Sequence, residues 1–329
     1  MINKFKSIVI GCGKIGSGNY KDYKNSHAYA YKKNKNINLV CGVDTNKKKL
    51  RQFSKIFKCN SSTNILNTLK FYKPDVISVC TPDSTHFKIV NKILDSKFKP
   101  LIIFLEKPCC NNLREFNYIL KKSKKKRVQI LVNHSRRFNT NFLKLKTKIK
   151  NGKFGKLKSS YSFYYNGWMH NGIHLVDDFI FFFGKDLVVD KVEKANLLDK
   201  QKNLTFDAIL RFKNSNTKLS FIGVDYNNYQ IFDTDLRFEN SRVCIDNFGQ
   251  NIYIQKKNFN KLGENVLTNK KLLFLRPKIS NFENAISKIV KYLKTKEKLY
   301  LKNYRIDDFK KTMKIMWDAQ KKYENKFKK

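Results

Sequence analysis

Ser7-Ile8-Val9-Ile10-Gly11-Cys12-Gly13-Lys14-Ile15-Gly16 decides the fold: a short apolar run ends in three glycines spaced G-x-G-x-x-G. Glycines let a backbone turn sharply and approach a pyrophosphate, and amides at a helix start bind its charge. About 28 residues after Gly16 the next apolar run ends in Asp44, whose carboxylate can accept hydrogen bonds from a ribose diol. The spaced glycines alone are a weak signal. A strand before them, an acid after them and strand–helix alternation around them favour a bound dinucleotide over a purely structural turn. Asp44 would repel a 2′-phosphate, so NAD is expected rather than NADP, although Lys47 and Lys48 stand close by.

Working outward, short apolar runs alternate with amphipathic stretches from Phe5 to Val132. The expected strands are Ser7 to Ile10, Asn38 to Val43, Val76 to Cys80, Leu101 to Leu105 and Gln129 to Asn133. The expected helices lie near Ala28 to Lys33, Lys47 to Phe57, Ile65 to Phe71, Thr85 to Asp95 and Asn112 to Lys124. Strands this apolar are buried on both faces, as a doubly wound parallel sheet requires. After Lys150 the texture changes to consecutive strands and turns: Leu157 to Tyr165, Asp186 to Leu197, Leu204 to Phe212, Lys218 to Tyr226, Thr234 to Glu239, Val243 to Asp246 and Asn251 to Gln255. These imply a mostly antiparallel sheet open on one face. The fold class is therefore α/β: a Rossmann domain over 1–134, then an α+β domain over 135–329 for substrate binding and oligomerisation. The helix at about 306–323 is a candidate to pack back on the first domain. An extra polar stretch, Ser17 to Ser26, separates the glycine turn from the helix that resumes at His27 and reads equally as a loop beside the cofactor or a surface insertion.

The bulk numbers bound the function classes. The 329 residues suit two domains, and a 41% hydrophobic, 14% aromatic content is that of a folded chain. The first ten residues lack the apolar stretch and cleavage site of a signal peptide. No apolar run approaches the roughly 20 residues that span a bilayer, so a cytoplasmic protein without a membrane partner is expected. Seven cysteines with no C-x-x-C pair read as small core residues. The net charge of +43 is spread over every segment. That reads as a solvated surface rather than a specific nucleic-acid footprint, and leaves an anionic small substrate compatible.

Two further segments fall at the carboxyl edge of the expected sheet, where ligands bind in such folds. Cys80-Thr81-Pro82-Asp83-Ser84-Thr85-His86 ends one strand and starts a helix, which Ser84 or Thr85 could cap. Glu106-Lys107-Pro108 ends another, and a desolvated lysine beside a cofactor can exchange a proton with a substrate hydroxyl. His170-Asn171-Gly172-Ile173-His174-Leu175-Val176-Asp177 places two histidines four apart and an aspartate three beyond the second, so they could share a helix face. No third ligand accompanies them and no metal is expected.

Together these motifs resemble the glucose-fructose oxidoreductase and inositol dehydrogenase family, Gfo/Idh/MocA. The likeness covers nearly the whole chain: the glycine turn, Asp44, Cys80-Thr81-Pro82 through His86, Glu106-Lys107-Pro108, Asn133-His134-Ser135-Arg136-Arg137-Phe138, and Gly172 through Asp178 with Gly184 after. The resemblance implies a C-terminal open sheet that covers the nicotinamide and often forms the oligomer interface, hence a homo-oligomer, dimer or tetramer. It implies that Lys107 acts at the substrate hydroxyl, that the Lys107-Pro108 bond is cis, and that His174 is the second catalytic group. The cofactor set is then Gly11, Cys12, Gly13, Lys14, Ile15, Gly16, Asp44, Thr45, Cys80, Thr81, Pro82, His86, Glu106, Lys107 and Asn133. Substrate contacts are expected at Lys107, Arg136, Arg137, Tyr165, Trp168, His170, Asn171, His174 and Asp177. Relatives resembling inositol dehydrogenase carry aspartate where this chain has His170, which points away from simple polyol dehydrogenation. The His170-Asn171-Gly172 variant and the insertion are similar to members from surface-polysaccharide and nucleotide-sugar pathways. The expected activity is hydride transfer between NAD(P) and a secondary alcohol or ketone of a sugar, sugar nucleotide or cyclitol. A dinucleotide-sensing regulatory or scaffold protein is the rival, and it would need neither Lys107 nor His174.

Overall fold

The five apolar runs of the first 133 residues fold as parallel strands joined by helices, and a sixth, short polar strand that the sequence reading did not include, Asn60–Ser62, joins them. Their order in the chain is β1 (Phe5–Ile10), α1 (Lys14–Ser17), α2 (His27–Lys33), β2 (Ile37–Val43), α3 (Lys47–Phe57), β3 (Asn60–Ser62), α4 (Ile65–Tyr72), β4 (Val76–Val79), α5 (His86–Asp95), β5 (Ile102–Glu106), α6 (Leu113–Lys126) and β6 (Gln129–Asn133). The computed structural model describes residues 4–18, 23–198 and 204–327, so positions 19–22 of the Ser17 to Ser26 insertion lie outside the described residues. The sheet order is β3-β2-β1-β4-β5-β6, a doubly wound order that reverses between β1 and β4. That switch point opens a crevice at the carboxyl ends of the strands.

Asparagine, abundant in this chain, does the capping. Asn46 accepts from the amides of Lys48 and Lys49, Asn64 from Asn67, and Asn112 from Glu115, each satisfying an otherwise orphan helix donor. The apolar faces of α2 and α3, with Tyr31, Leu50 and Phe53, pack into one core with β-strand residues Val9, Leu39, Val76 and Phe104. Burying side chains of this size contributes about 1.5–3 kcal/mol each.

The second unit begins with α7 (Thr140–Lys150), then β7 (Leu157–Tyr164), α8 (Ile173–Phe183) and the strands β8 (Leu187–Leu198), β9 (Leu204–Phe212), β10 (Lys218–Gly223), β11 (Asp233–Phe238), β12 (Ser241–Asp246), β13 (Asn251–Phe259), β14 (Asn265–Leu267) and β15 (Lys271–Phe274). Their order is β14-β13-β12-β11-β7-β10-β9-β8, with β15 also paired to β13. Every pair is antiparallel except β7 with β10. On β11, Thr234, Leu236 and Phe238 are buried while Arg237 is exposed, the alternation of a sheet covered on one face.

The chain does not divide cleanly at 134. The first unit runs to Phe138 and regains Ile279–Phe309, with helix α9 (Asn281–Thr295), whereas Asn139–Lys278 and the residues from Lys310 form the second. Ala285, Ile286, Ile289, Val290 and Leu293 of α9 join the core of the first unit. The segment after α9 bonds to β6 as well, as an isolated antiparallel bridge between Leu131 and Arg305, with Val132 N donating to Tyr304 O at 2.9 Å. The last helix, α10 (Lys310–Phe327), belongs to the second unit instead of the Rossmann domain. Its Thr312 and Met316 are bonded to Asp177 and Trp168. No helix among the described residues is long and apolar enough to cross a membrane.

Candidate functional site

The three glycines of the turn are required for different reasons. Gly11 has φ +94°, and a Cβ there would meet the Cys80 carbonyl at 2.6 Å; at Gly16 it would meet Gly11 O at 1.9 Å. Chain packing alone dictates those two. Gly13 differs: its φ of −85° suits any residue, and a Cβ there would meet nothing closer than Lys49 Nζ at 4.0 Å. The fold does not ask for glycine at that position, but close approach of a pyrophosphate does. The helix following the turn is only the four residues of α1, ending at Gly18, and the next begins at Ser26, whose hydroxyl accepts from Tyr29 N. The helix is thus interrupted after the glycine turn, where the sequence places its extra polar stretch, and one turn of amides stands at that end of the sheet. Lys14 and Ile15 are exposed in that turn, while Cys12 is buried with its thiol near Val43 O.

Asp44 closes the same crevice. Its Oδ2 accepts from Cys12 N at 2.8 Å and its Oδ1 from Asn46 N at 2.9 Å. These bonds orient the carboxylate beside the glycine turn, with exposed Thr45 next in the chain.

Beyond the switch point, His86 ties two segments of the sheet edge together. Its Nδ1 lies 2.7 Å from Pro108 O and its Nε2 2.9 Å from Thr81 O, linking the loop after β4 to the loop after β5. Thr85 does not cap α5 with its side chain; its Oγ1 turns back to within 2.7 Å of both Thr81 Oγ1 and Pro82 O. The expected cap is thus spent on holding the Thr81-Pro82 loop, with Cys80 and Thr81 half-buried and Pro82 exposed. The Lys107-Pro108 bond is cis.

Under Lys107 lies a buried polar chain that the sequence did not reveal. His27 Nε2 donates to Glu106 Oε1 at 2.7 Å, and Asn133 Nδ2 donates to the same oxygen at 2.6 Å. His27 Nδ1 meets Ser78 Oγ at 2.8 Å, which in turn meets Tyr31 OH at 2.8 Å. The tautomer that donates to the carboxylate and accepts from Ser78 satisfies His27, Ser78 and Tyr31. Asn133 Oδ1 is buried without a hydrogen-bond partner among the described residues, an acceptor left over at the sheet edge. Burial pushes the Glu106 carboxyl up, but the hydrogen bonds from His27 and Asn133, with the charge of Lys107, outweigh it and bring it below its ordinary value. Burial lowers the half-buried Lys107 ammonium from the ordinary lysine value, and the carboxylates of Asp83 and Glu106 restore it only in part. Lys107 is the kind of lysine that can give up and retake a proton.

The remaining sequence candidates divide by burial. In the first unit, Arg136 is buried at the one-turn helix Ser135–Phe138. Arg137 is structural: it donates to Asn303 O at 2.8 Å and lies over the Phe309 ring. In the second unit, Trp168 is a core residue, 1% exposed, packed on Phe206 and Phe221, with Nε1 donating to Met316 O at 3.1 Å. Asp177, also 1% exposed, accepts from Thr312 Oγ1 at 2.7 Å. Both side chains belong to the interior of that unit, which corrects their expected place among substrate contacts. Tyr165, His170, Asn171 and His174 are half-buried. Trp168–Gly172 is a π-helical turn ahead of α8, so the four-residue spacing of His170 and His174 does not put them on one α-helical face. π-Turns of this kind recur at functional sites. Among the described residues no group of three or more His, Cys, Asp or Glu side chains is placed to hold a metal ion.

A doubly wound sheet with a glycine turn at its switch point, a carboxylate held beside that turn and a lysine of lowered basicity at the same edge are features of a dinucleotide-binding domain. Residues 5–134 match the model of the Gfo/Idh/MocA family, described as an oxidoreductase family with an NAD-binding Rossmann fold. An 82-residue stretch is 34% identical to myo-inositol 2-dehydrogenase of Thermotoga maritima, covering 25% of this chain and about a quarter, 24%, of the relative's length. Likeness of fold extends over the whole chain. A structure described as a putative NADPH-dependent oxidoreductase from Desulfitobacterium hafniense superposes with a TM-score of 0.80 at 15% identity, covering 99% of this chain and 97% of that one. KijD10, a 3-ketoreductase from Actinomadura kijaniata solved with NADP and TDP-benzene, does so with 0.79 at 11% identity, covering 97% and 98%.

Proposed function

We propose that the protein is an NAD-dependent oxidoreductase acting on a secondary alcohol or ketone of a sugar or sugar nucleotide. The observation that carries the reading is Gly13, a glycine with no structural need, facing open space at the switch point that also presents Lys107. Gly11 through Gly16 and Thr81 hold the dinucleotide, and Asp44 accepts the adenosine ribose, which favours NAD over NADP because a 2′-phosphate would meet a carboxylate. The bound nicotinamide supplies or takes the hydride. Lys107 holds the proton of the substrate hydroxyl, accepting it on oxidation and returning it on reduction, and His174 is assigned as the second proton-handling group. Glu106, fixed by His27 and Asn133, steadies the charge of Lys107. His170, Asn171, Tyr165 and Arg136 are assigned to substrate contact. The myo-inositol 2-dehydrogenase that shares a stretch of sequence, and the 3-ketoreductase of similar fold solved with TDP-benzene, support this substrate class. The outer face of the sheet of the second unit is assigned to assembly of a homo-oligomer in the cytoplasm.

The test is Lys107→Met. Loss of a positioned proton-transfer group typically costs about 10²- to 10⁴-fold, so turnover of NADH with the substrate should fall by that much while NADH affinity, followed by fluorescence, stays as in the wild type. Retained turnover would remove Lys107 from the chemistry.

A further inference from the structure

Four rings of the second unit form a path leading away from His174. Phe232 meets the His174 ring edge-on at 6.2 Å, and Phe248 lies parallel to Phe232 within 2° at 6.4 Å. Tyr165 meets Phe248 edge-on at 6.1 Å and stacks on Tyr226 at 6.0 Å and 24°. Phe232 is buried, whereas Tyr165 and Tyr226 are half-buried and Phe248 is 43% exposed. Core aromatics of this unit such as Trp168 and Phe206 are enclosed, so the outer rings are not there to fill an interior.

The backbone confirms that one ring is held out at a cost. Phe248 has φ +58°, between Asn247 at +51° and Gly249 at +80°, in the turn joining β12 to β13. Asparagine and glycine tolerate the left-handed region, but a bulky aromatic does so only under strain. Asp233 pins this turn by accepting from Asn247 N at 2.9 Å. Tyr165, whose hydroxyl bonds to Asn171, precedes Asn166 and Gly167 at φ +61° and +87°. A turn needing only hairpin geometry would not retain phenylalanine at Phe248.

Resting on the oxidoreductase reading, we infer that Tyr165, Tyr226 and Phe248 form a stacking platform for the base of a nucleoside diphosphate sugar whose sugar ring lies at His174. Exposed π-faces bind bases with little sequence preference. The platform stands two ring contacts from His174, so it addresses a flat group remote from the reacting ring, which a free monosaccharide lacks and a sugar nucleotide carries. The strongly cationic chain favours the diphosphate between them.

Calorimetric titration of the full chain, with NADH saturating so that the adenine site is filled, compares UDP and dTDP with glucose 1-phosphate. The nucleotides should bind at least tenfold more tightly than the sugar phosphate. Phe248→Gly and Tyr226→Ala should each weaken them about 10-fold or more, while Tyr229→Ala, at a 63% exposed ring, changes nothing. Phe248→Gly should at the same time raise the melting temperature, since it relieves the left-handed strain; a merely structural ring would lose stability. Equal binding of UDP, dTDP and glucose 1-phosphate, or unchanged nucleotide affinity in Phe248→Gly, overturns the inference. So does a change of sedimentation mass in Phe248→Gly without nucleotide binding, which would make the patch a subunit contact. Turnover of a free sugar indifferent to UDP sinks this inference alone; nucleotide binding without any NADH-dependent turnover sinks the oxidoreductase reading alone.

Discussion

At Lys107 the sequence shows only one lysine among many; its meaning comes from the strand end it occupies. Burial lowers its ammonium, and Glu106 and Asp83 partly oppose that. Oxidation requires neutral Lys107, so its rate should rise with pH through a midpoint below the ordinary lysine value of about 10.4, while reduction falls over the same range. Glu106→Gln removes an anion that favours the ammonium, so the midpoint should move to lower pH. A kcat–pH profile that stays put or moves up would disprove the coupling. The place of Lys107 was legible because Leu101 to Leu105 announce a buried strand. The partner His27 was not, because it lies 79 residues from Glu106 and follows a polar insertion that says nothing about pairing. Likewise nothing in the sequence separated Trp168 and Asp177, which the interior claims, from half-buried Asn171 and His174.

Among elements, the parallel strands were readable because burial on both faces leaves them uniformly apolar. Gln129 to Asn133 and Leu204 to Phe212 coincide with the expected spans. The edge strand Asn60–Ser62 is polar and short, while β14 (Asn-Val-Leu) and β15 (Lys-Leu-Leu-Phe) are apolar but only three and four residues long and exposed or half-buried, so none shows the pattern of a buried strand. The π-turn at Trp168–Gly172 escaped notice because a histidine pair four apart reads as ordinary helix. Gly16 makes the element-scale prediction. Its missing Cβ would stand 1.9 Å from Gly11 O, so Gly16→Ala must shift the turn against β1 and should cost about 1–3 kcal/mol, as overpacking does. An unchanged denaturation midpoint would contradict this account of the turn.

For the whole molecule, 69 Lys and Arg against 26 Asp and Glu mean that pairing cannot neutralise the surface. Exposed pairs such as Lys311–Asp186 contribute at most about 1 kcal/mol. The charge therefore bears on solubility and on attraction of anions rather than on the fold. The two-part organisation was visible in the change of texture after Lys150, but the return of Ile279–Phe309 to the first unit was not, because contacts of that range leave no periodicity. Everything functional hangs on whether the glycine turn is a dinucleotide cradle. Isothermal titration with NAD of the wild type and Gly13→Ala tests this most directly, because the new Cβ meets only Lys49 Nζ at 4.0 Å and leaves the fold undisturbed. The account predicts an unchanged melting temperature with NAD affinity reduced by about 10-fold or more, the size of a 1–3 kcal/mol steric cost; equal NAD affinity in the two proteins would contradict it.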